Sequence, residues 1–144
     1  MITYVDTSAL IKLLMAEDGS ESARVVWGQA DRLATVVLTS VEVRAGLSAA
    51  ERGGRMTAAQ HLVAKQELDD LIAEVVTCEI TDDLVRAAGD LAEAEGLRGY
   101  DAVHLAGALV AGAQVLASAD RALCDAAERH GLVVANPLDA PEVS

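Results

Sequence analysis

The chain has 144 residues, 52% of them hydrophobic but only 2% aromatic, and a formal net charge of -12. That length suits one domain, and that apolar content excludes a disordered chain, with Leu, Val and Ala left to build the core. The charge has the wrong sign for a protein that grips nucleic acid mainly through Lys and Arg, although an acidic protein still binds phosphate where divalent cations neutralise its site.

In chain order, residues 2–5 predict a short strand and 7–15 a helix with Ala9, Leu10, Leu13 and Leu14 on one stripe. Asp18-Gly19-Ser20 breaks it. A second helix carries Ala23, Val26, Trp27 and Ala30 at helical spacing, which reads as a core face; Trp27 could instead serve a partner groove. The β-branched run "LATVVLTS" (33–40) predicts a buried strand, followed by a helix over 40–52 that Gly53-Gly54 stops. Residues 57–74 predict a long helix and "VVTCEI" (75–80) a third strand. Thr81 then caps a helix marked by Leu84, Ala87, Ala88, Leu91 and Ala92. "GLRG" (96–99) reads as a loop. The helix over 101–112 is apolar nearly all round except at Asp101 and His104, so it should be buried. A strand at 114–118, a helix at 120–130 and a strand at 132–135 complete a domain of residues 1–136, with 137–144 expected to fray.

Short apolar strands alternating with helices imply an α/β fold, a parallel sheet covered on both faces. Cys78 and Cys124 form no metal-ligand spacing and read as reduced, buried thiols. No basic-then-apolar leader opens the chain and no apolar run spans a bilayer, so a cytoplasmic protein without membrane contact is expected.

Open α/β sheets carry their sites at the carboxyl ends of the strands. Four acids fall there or on the buried helix: Asp6, Glu42, Asp101 and Asp120. Each has a structural role available. Asp6, Asp101 and Asp120 could cap helices, and Thr39-Ser40-Val41-Glu42 fits a capping box. A cap needs only one short polar side chain, however. Carboxylates gathered among apolar elements repel one another and lose hydration, and they stay ionised most easily around a cation. Oxygen ligands without Cys or clustered His suit Mg²⁺, or Mn²⁺, rather than zinc. Such ions bind phosphodiester oxygens and activate water without a nucleophilic side chain. Ser118, two residues before Asp120, could hold that water or orient a carboxylate.

The stretches "YVDTSALIKLL", "TSVEVRAGL", "GYDAVHLAGAL" and "LASADRAL" resemble a PIN-domain ribonuclease, and more narrowly the VapC toxins of VapBC toxin–antitoxin pairs. The likeness spans residues 1 to about 135. It implies a three-layer α/β/α sandwich with a mostly parallel sheet and Mg²⁺-dependent RNA cleavage. It also implies inhibition by a small VapB-like antitoxin, and pairing into a homodimer. The resemblance assigns Asp6, Glu42, Asp101 and Asp120 to an acidic metal site, and Ser118 matches the hydroxyl before the last acid.

His104 shares a helix face with Asp101 and reads as a hydrogen-bonded residue behind the site, with a metal pair as the sharper alternative. His61 and His130 read as surface residues. Arg44, Arg98 and Arg121 are candidate phosphate contacts or plain ion-pair partners. An aspartyl-phosphate phosphatase would need an acid at position 8, where Ser8 stands; a receiver domain needs a late Lys, and only Lys12 and Lys65 exist. The remaining rival is a non-enzymatic acidic interaction module whose carboxylates are helix caps.

Overall fold

The computed structural model describes residues 1–139. Five strands pair in parallel in the order β3-β2-β1-β4-β5, where β1 is Ile2–Val5, β2 Arg32–Val36, β3 Val76–Cys78, β4 Val115–Ala117 and β5 Val133–Ala135. The chain winds outward from β1 to β2 and β3, then crosses to the other side of β1 for β4 and β5. The order therefore reverses between β1 and β4, where the crevice at the strands' carboxyl ends lies open.

The strand period of two sends Tyr4 to one face and Val5 to the other. On the first face Tyr4, Ala34, Val36 and Leu116 pack against α5 (Asp82–Glu95), α6 (Gly99–Val110) and α7 (Arg121–Arg129). On the second, Val5 and Ala117 pack with α1 (Thr7–Leu10), α3 (Leu38–Arg52) and α4 (Ala58–Ala73), while Val26 and Trp27 of α2 (Ser20–Gln29) flank that core. The result is the expected α/β/α sandwich. Few aromatics are needed because α6 lies very close to the sheet. A Cβ at Gly107 would run into Val36 Cγ1 and sit 3.2 Å from Tyr4 Cε2.

Several elements differ from the sequence expectation. The first helix is only Thr7–Leu10 and tightens into a 3₁₀ turn over Ile11–Leu13, where Leu14 N–H closes onto the Ile11 carbonyl at 3.0 Å. The second strand stops at Val36, and α3 begins at Leu38 rather than 40. The cause is a buried hydroxyl pair. Thr35 Oγ1 donates to the Val5 carbonyl at 2.7 Å and lies 2.7 Å from Thr39 Oγ1. Thr39 is thereby committed inward, so the Thr39–Glu42 capping box does not form; Val37 is the N-cap and has no side-chain cap bond. The buried helix starts at Gly99 and ends at Val110, two residues earlier at each end than the period predicts.

Of the tail expected to fray from residue 137, the structure describes residues 137–139. Pro137 is buried where the chain passes Gly19, whose φ of 85° and close approach to the Pro137 carbonyl favour glycine. Asp139 accepts from Arg121 at 2.9 Å. The rest of the expected tail, 140–144, lies outside the described residues. Cys124 is buried, Cys78 half-buried, and both are free thiols.

Candidate active site

Asp6 sits at the switch point. Its backbone N–H continues the β1–β4 ladder onto the Ala117 carbonyl at 3.1 Å, and its side chain caps α1. The carboxylate is 4% exposed, and every bond made to it comes from a neutral donor. Oδ1 accepts from Ser8 Oγ at 2.7 Å and Ala9 N–H at 3.0 Å; Oδ2 accepts from Ser118 Oγ at 2.6 Å. Burial pushes its pKa above the ordinary aspartate value, against the opposing pull of His104, Ser118, Ser8 and the Ala9 N–H. Ser118 is fully buried at the end of β4, and its Oγ also accepts from Asp120 N–H at 3.0 Å. Of the two roles the sequence left open for Ser118, its hydrogen bond to Asp6 fits the orienting of a carboxylate.

Glu42 lies on the first turns of α3. Its Oε1 accepts from Thr7 Oγ1 at 2.7 Å and from His104 Nε2 at 2.6 Å. On the far side of the ring, His104 Nδ1 is 2.7 Å from Tyr4 Oη. Burial holds the Tyr4 phenol well above its usual pKa, so Tyr4 keeps its proton in the hydrogen bond it shares with Nδ1. Facing a carboxylate, which can only accept, His104 Nε2 carries a proton and donates to Glu42. Partial burial works to raise the Glu42 pKa, but the hydrogen bonds from His104 and Thr7 outweigh it, and the net direction is downward. Glu42 is thus an ionised carboxylate with Oε1 fixed and Oε2 free of any hydrogen bond among the described residues. His104 supports the site from behind.

Asp120 is the N-cap of α7, with Oδ1 accepting from Leu123 N–H at 2.9 Å. Asp101 lies in the first turn of α6. One side chain joins them: Arg98 donates from Nε to Asp101 Oδ2 at 3.2 Å and from a terminal nitrogen to Asp120 Oδ2 at 3.3 Å. That Arg98 side chain is 82% exposed. Arg121 turns away to Asp139, and Arg44 lies on an exposed face beside Ser48, His61 and Lys65. His61 and His130 pair with Glu51 and Glu95 away from the site, and Lys12 is buried against Glu17 at 2.9 Å.

The four acids therefore stand along one carboxyl edge: Asp6 shares Ser118 with the Asp120 backbone N–H, the Asp120 carboxylate is linked through Arg98 to Asp101, and Glu42 is held separately by Thr7 and His104. Among the described residues no three His, Cys, Asp or Glu side chains are gathered closely enough to hold an ion. The donor chemistry nevertheless fits a hard divalent cation. The acids offer only oxygen, Glu42 Oε2 is free, and the positive charge already present among them is an exposed guanidinium that can leave. The elements sequence reasoning missed are the Tyr4 anchor and the double engagement of Arg98. The T-x-x-x-T spacing of Thr35 and Thr39 was the one available signal for where α3, and so Glu42, begins.

The PIN domain family matches residues 3–129. Two curated relatives from strains of Mycobacterium tuberculosis, ribonuclease VapC45 and ribonuclease VapC49, are each 40% identical over 136 residues, covering 93% of this chain and 94% of the relative. Among solved structures, Mycobacterium tuberculosis VapC20, described as a sarcin-ricin-loop-cleaving toxin, superposes with a TM-score of 0.68 at 19% identity, covering 91% of this chain and 96% of its own. A protein from Pyrobaculum aerophilum gives 0.70 at 24% identity, covering 94% and 84%. A toxin–antitoxin complex from Klebsiella pneumoniae gives 0.68 at 19% identity, covering 94% and 97%. At these identities the structural likenesses establish the shared fold.

Proposed function

The chain belongs to the PIN-domain family, in its VapC branch, and from that premise we propose that it is the toxin of a type II toxin–antitoxin pair, a Mg²⁺-dependent endoribonuclease. The observation that carries this reading is Asp6, a buried carboxylate at the β1/β4 switch point, with Asp101, Asp120 and Glu42 on the same edge. A divalent cation held by these carboxylates would polarise a phosphodiester oxygen and activate water. Asp6, Asp101 and Asp120 would hold it, with Glu42 reaching it directly or through water.

The chain's own groups divide the remaining work. Ser118 and Ser8 fix both oxygens of Asp6. Thr7 and His104 fix Glu42 Oε1, leaving Oε2 to orient an attacking water and take its proton. Arg98 releases Asp101 and Asp120 and turns to the substrate phosphate, a basic contact close to the reacting atoms in a chain of net charge -12. The partners proposed are RNA, a VapB-like antitoxin and a second copy of this chain, in the cytoplasm. No helix among the described residues is long and apolar enough to cross a membrane.

The rival reading, an acidic interaction module, draws on one fact: Asp6 and Asp120 do cap α1 and α7. Asn caps as well as Asp, which separates the two. Incubation with structured RNA should give cleavage that requires Mg²⁺ and disappears with EDTA, Asp6→Asn or Asp101→Asn. Cleavage that survives EDTA or both substitutions refutes the metal-dependent mechanism at these acids, and no cleavage under any condition favours the interaction module.

A further inference from the structure

The first helix turn of α6 and the outer face of α5 enclose a groove of about 650 Å³ that opens onto Glu42, Arg98 and Asp101. Its volume falls within the roughly 300–1,000 Å³ of ligand clefts. Apart from that charged rim its walls are apolar, formed by Val85, Ala92 and Val103, and Tyr100 stands at the mouth. Tyr100 is 66% exposed, whereas Tyr4 is buried and Trp27 partly buried, so it is the one open aromatic face the molecule has. Val85 is 54% exposed on the same groove.

Gly89 forms part of this wall, in the interior of α5. Glycine weakens a helix interior relative to alanine. No packing demands it here, because a Cβ would meet nothing within 4 Å, and its φ is not positive. What the missing side chain leaves is open space in the groove.

We infer that the α5–α6 groove is a nucleobase subsite, in which the base attached to the nucleotide next to the cleaved bond stacks on Tyr100 and lodges over Gly89 and Val85. The inference rests on reading the acidic edge as the phosphodiester site and adds where the neighbouring base goes. A strand with its phosphate at Asp101 and Arg98 carries a base on the adjoining sugar, and the groove begins at those same two residues. An aromatic face beside a cationic group suits a base with its phosphate, because stacking tolerates any base and Arg98 engages the backbone. Selection among bases would then come from the shape of the apolar walls.

The test uses the full-length chain carrying Asp6→Asn, so that RNA binds without being cut, and a series of labelled single-stranded RNAs in which each nucleotide in turn is made abasic. Fluorescence anisotropy in Mg²⁺ should reveal one or two positions where removing the base weakens binding about tenfold, the scale of one base stacked on an aromatic ring. Adding Tyr100→Ala or Gly89→Leu should erase that penalty. Both positions are exposed, and leucine favours helix over glycine, so unfolding temperatures should not fall. A base penalty that persists in both variants, or none at any position, overturns the inference. So does a Gly89→Leu protein that binds RNA unchanged but loses a protein partner, which would give the groove to a peptide. RNA bound with the base penalty but never cut by the wild-type chain would keep the subsite and remove the nuclease reading; cleavage without any base penalty would do the reverse.

Discussion

The inner and outer carboxylates of the edge are held by opposite means. Asp6 and Glu42 are fixed by buried or half-buried hydrogen-bond donors: Ser8, Ser118 and a backbone N–H for one, Thr7 and a His104–Tyr4 relay for the other. Asp101 and Asp120 share a single exposed cation, Arg98. Hydroxyl and amide donors orient a carboxylate without cancelling its charge, so Asp6 above all keeps its attraction for a cation. A guanidinium cancels that charge, but through exposed ion pairs that hold weakly, about 0.2–1 kcal/mol each. The inner half is preset for a ligand, and the outer half is closed by a latch that a stronger cation or a phosphate can lift.

The largest break in this comparison comes from removing an inner charge. Asp6→Asn keeps the α1 cap yet should lower kcat/KM on RNA by well over the roughly 100-fold that bounds the loss of a supporting residue in a metal site. Ser118→Ala, which spares the charge and removes one orienting bond, should cost about 10- to 100-fold. Equal losses from the two substitutions would deny that charge and orientation are separate contributions.

His104 tests the relay. His104→Ala should reduce activity about 10- to 100-fold by freeing Glu42, and should also lower the urea midpoint, since an unpaired buried Tyr4 hydroxyl costs about 1–3 kcal/mol. Tyr4→Phe, which leaves His104 Nε2 on Glu42, should be milder in activity. Activity equally lost in Tyr4→Phe would mean that the phenol, and not the imidazole, sets the geometry.

On the outer half, Arg98→Ala should tighten Mn²⁺ binding several-fold by calorimetry at low salt, with the difference shrinking as salt rises. Its affinity for RNA should fall, because the same residue loses its phosphate contact. Unchanged Mn²⁺ affinity would show that Arg98 is not in the cation's way.

The sequence made the inner half more legible than the outer. Asp6 is visible because the α/β alternation places it at a strand's carboxyl end in company with Glu42, Asp101 and Asp120, although taken singly it reads as a helix cap. His104 is visible as a polar break in the apolar α6 helix. Tyr4 is not, since in sequence it reads only as a strand residue and its partner lies 100 positions away. Arg98 belongs to a loop-like "GLRG", where no periodicity reports direction, so its reach to both Asp101 and Asp120 emerges only from the fold. The start of α3 was misplaced because a β-branched run looks like continuous strand, while the Thr35–Thr39 hydroxyl pair turns the chain into helix at Leu38. Strands β3, β4 and β5 are each three residues long, shorter than their apolar runs, whether they lie at the sheet's edge or inside it.

The smallest expected effect concerns stability and sets the two inner acids against each other. The fold raises the Asp6 pKa, so folded protein holds that proton more tightly than unfolded protein does. An ionised Asp6 therefore destabilises the fold at neutral pH, and the penalty is relieved as pH falls through the raised value toward the ordinary 3.8. The fold lowers the Glu42 pKa, so its ionised form stabilises above the ordinary 4.5, and that contribution is lost as pH falls below it. In EDTA at pH 7, Asp6→Asn should unfold at a higher temperature than wild type, near the lower end of the roughly 0.5–2 kcal/mol that stabilising substitutions yield. The gain should vanish on acidification toward pH about 4. Glu42→Gln should unfold at a lower temperature at pH 7, and its deficit should close as pH falls below the ordinary 4.5. Calorimetric melts of both variants across that range give the signs directly. An Asp6→Asn protein that melts lower at pH 7 would mean that the three donors around this carboxylate overcompensate its burial, and the inner half would then be stabilised by its charges and not merely built to carry them.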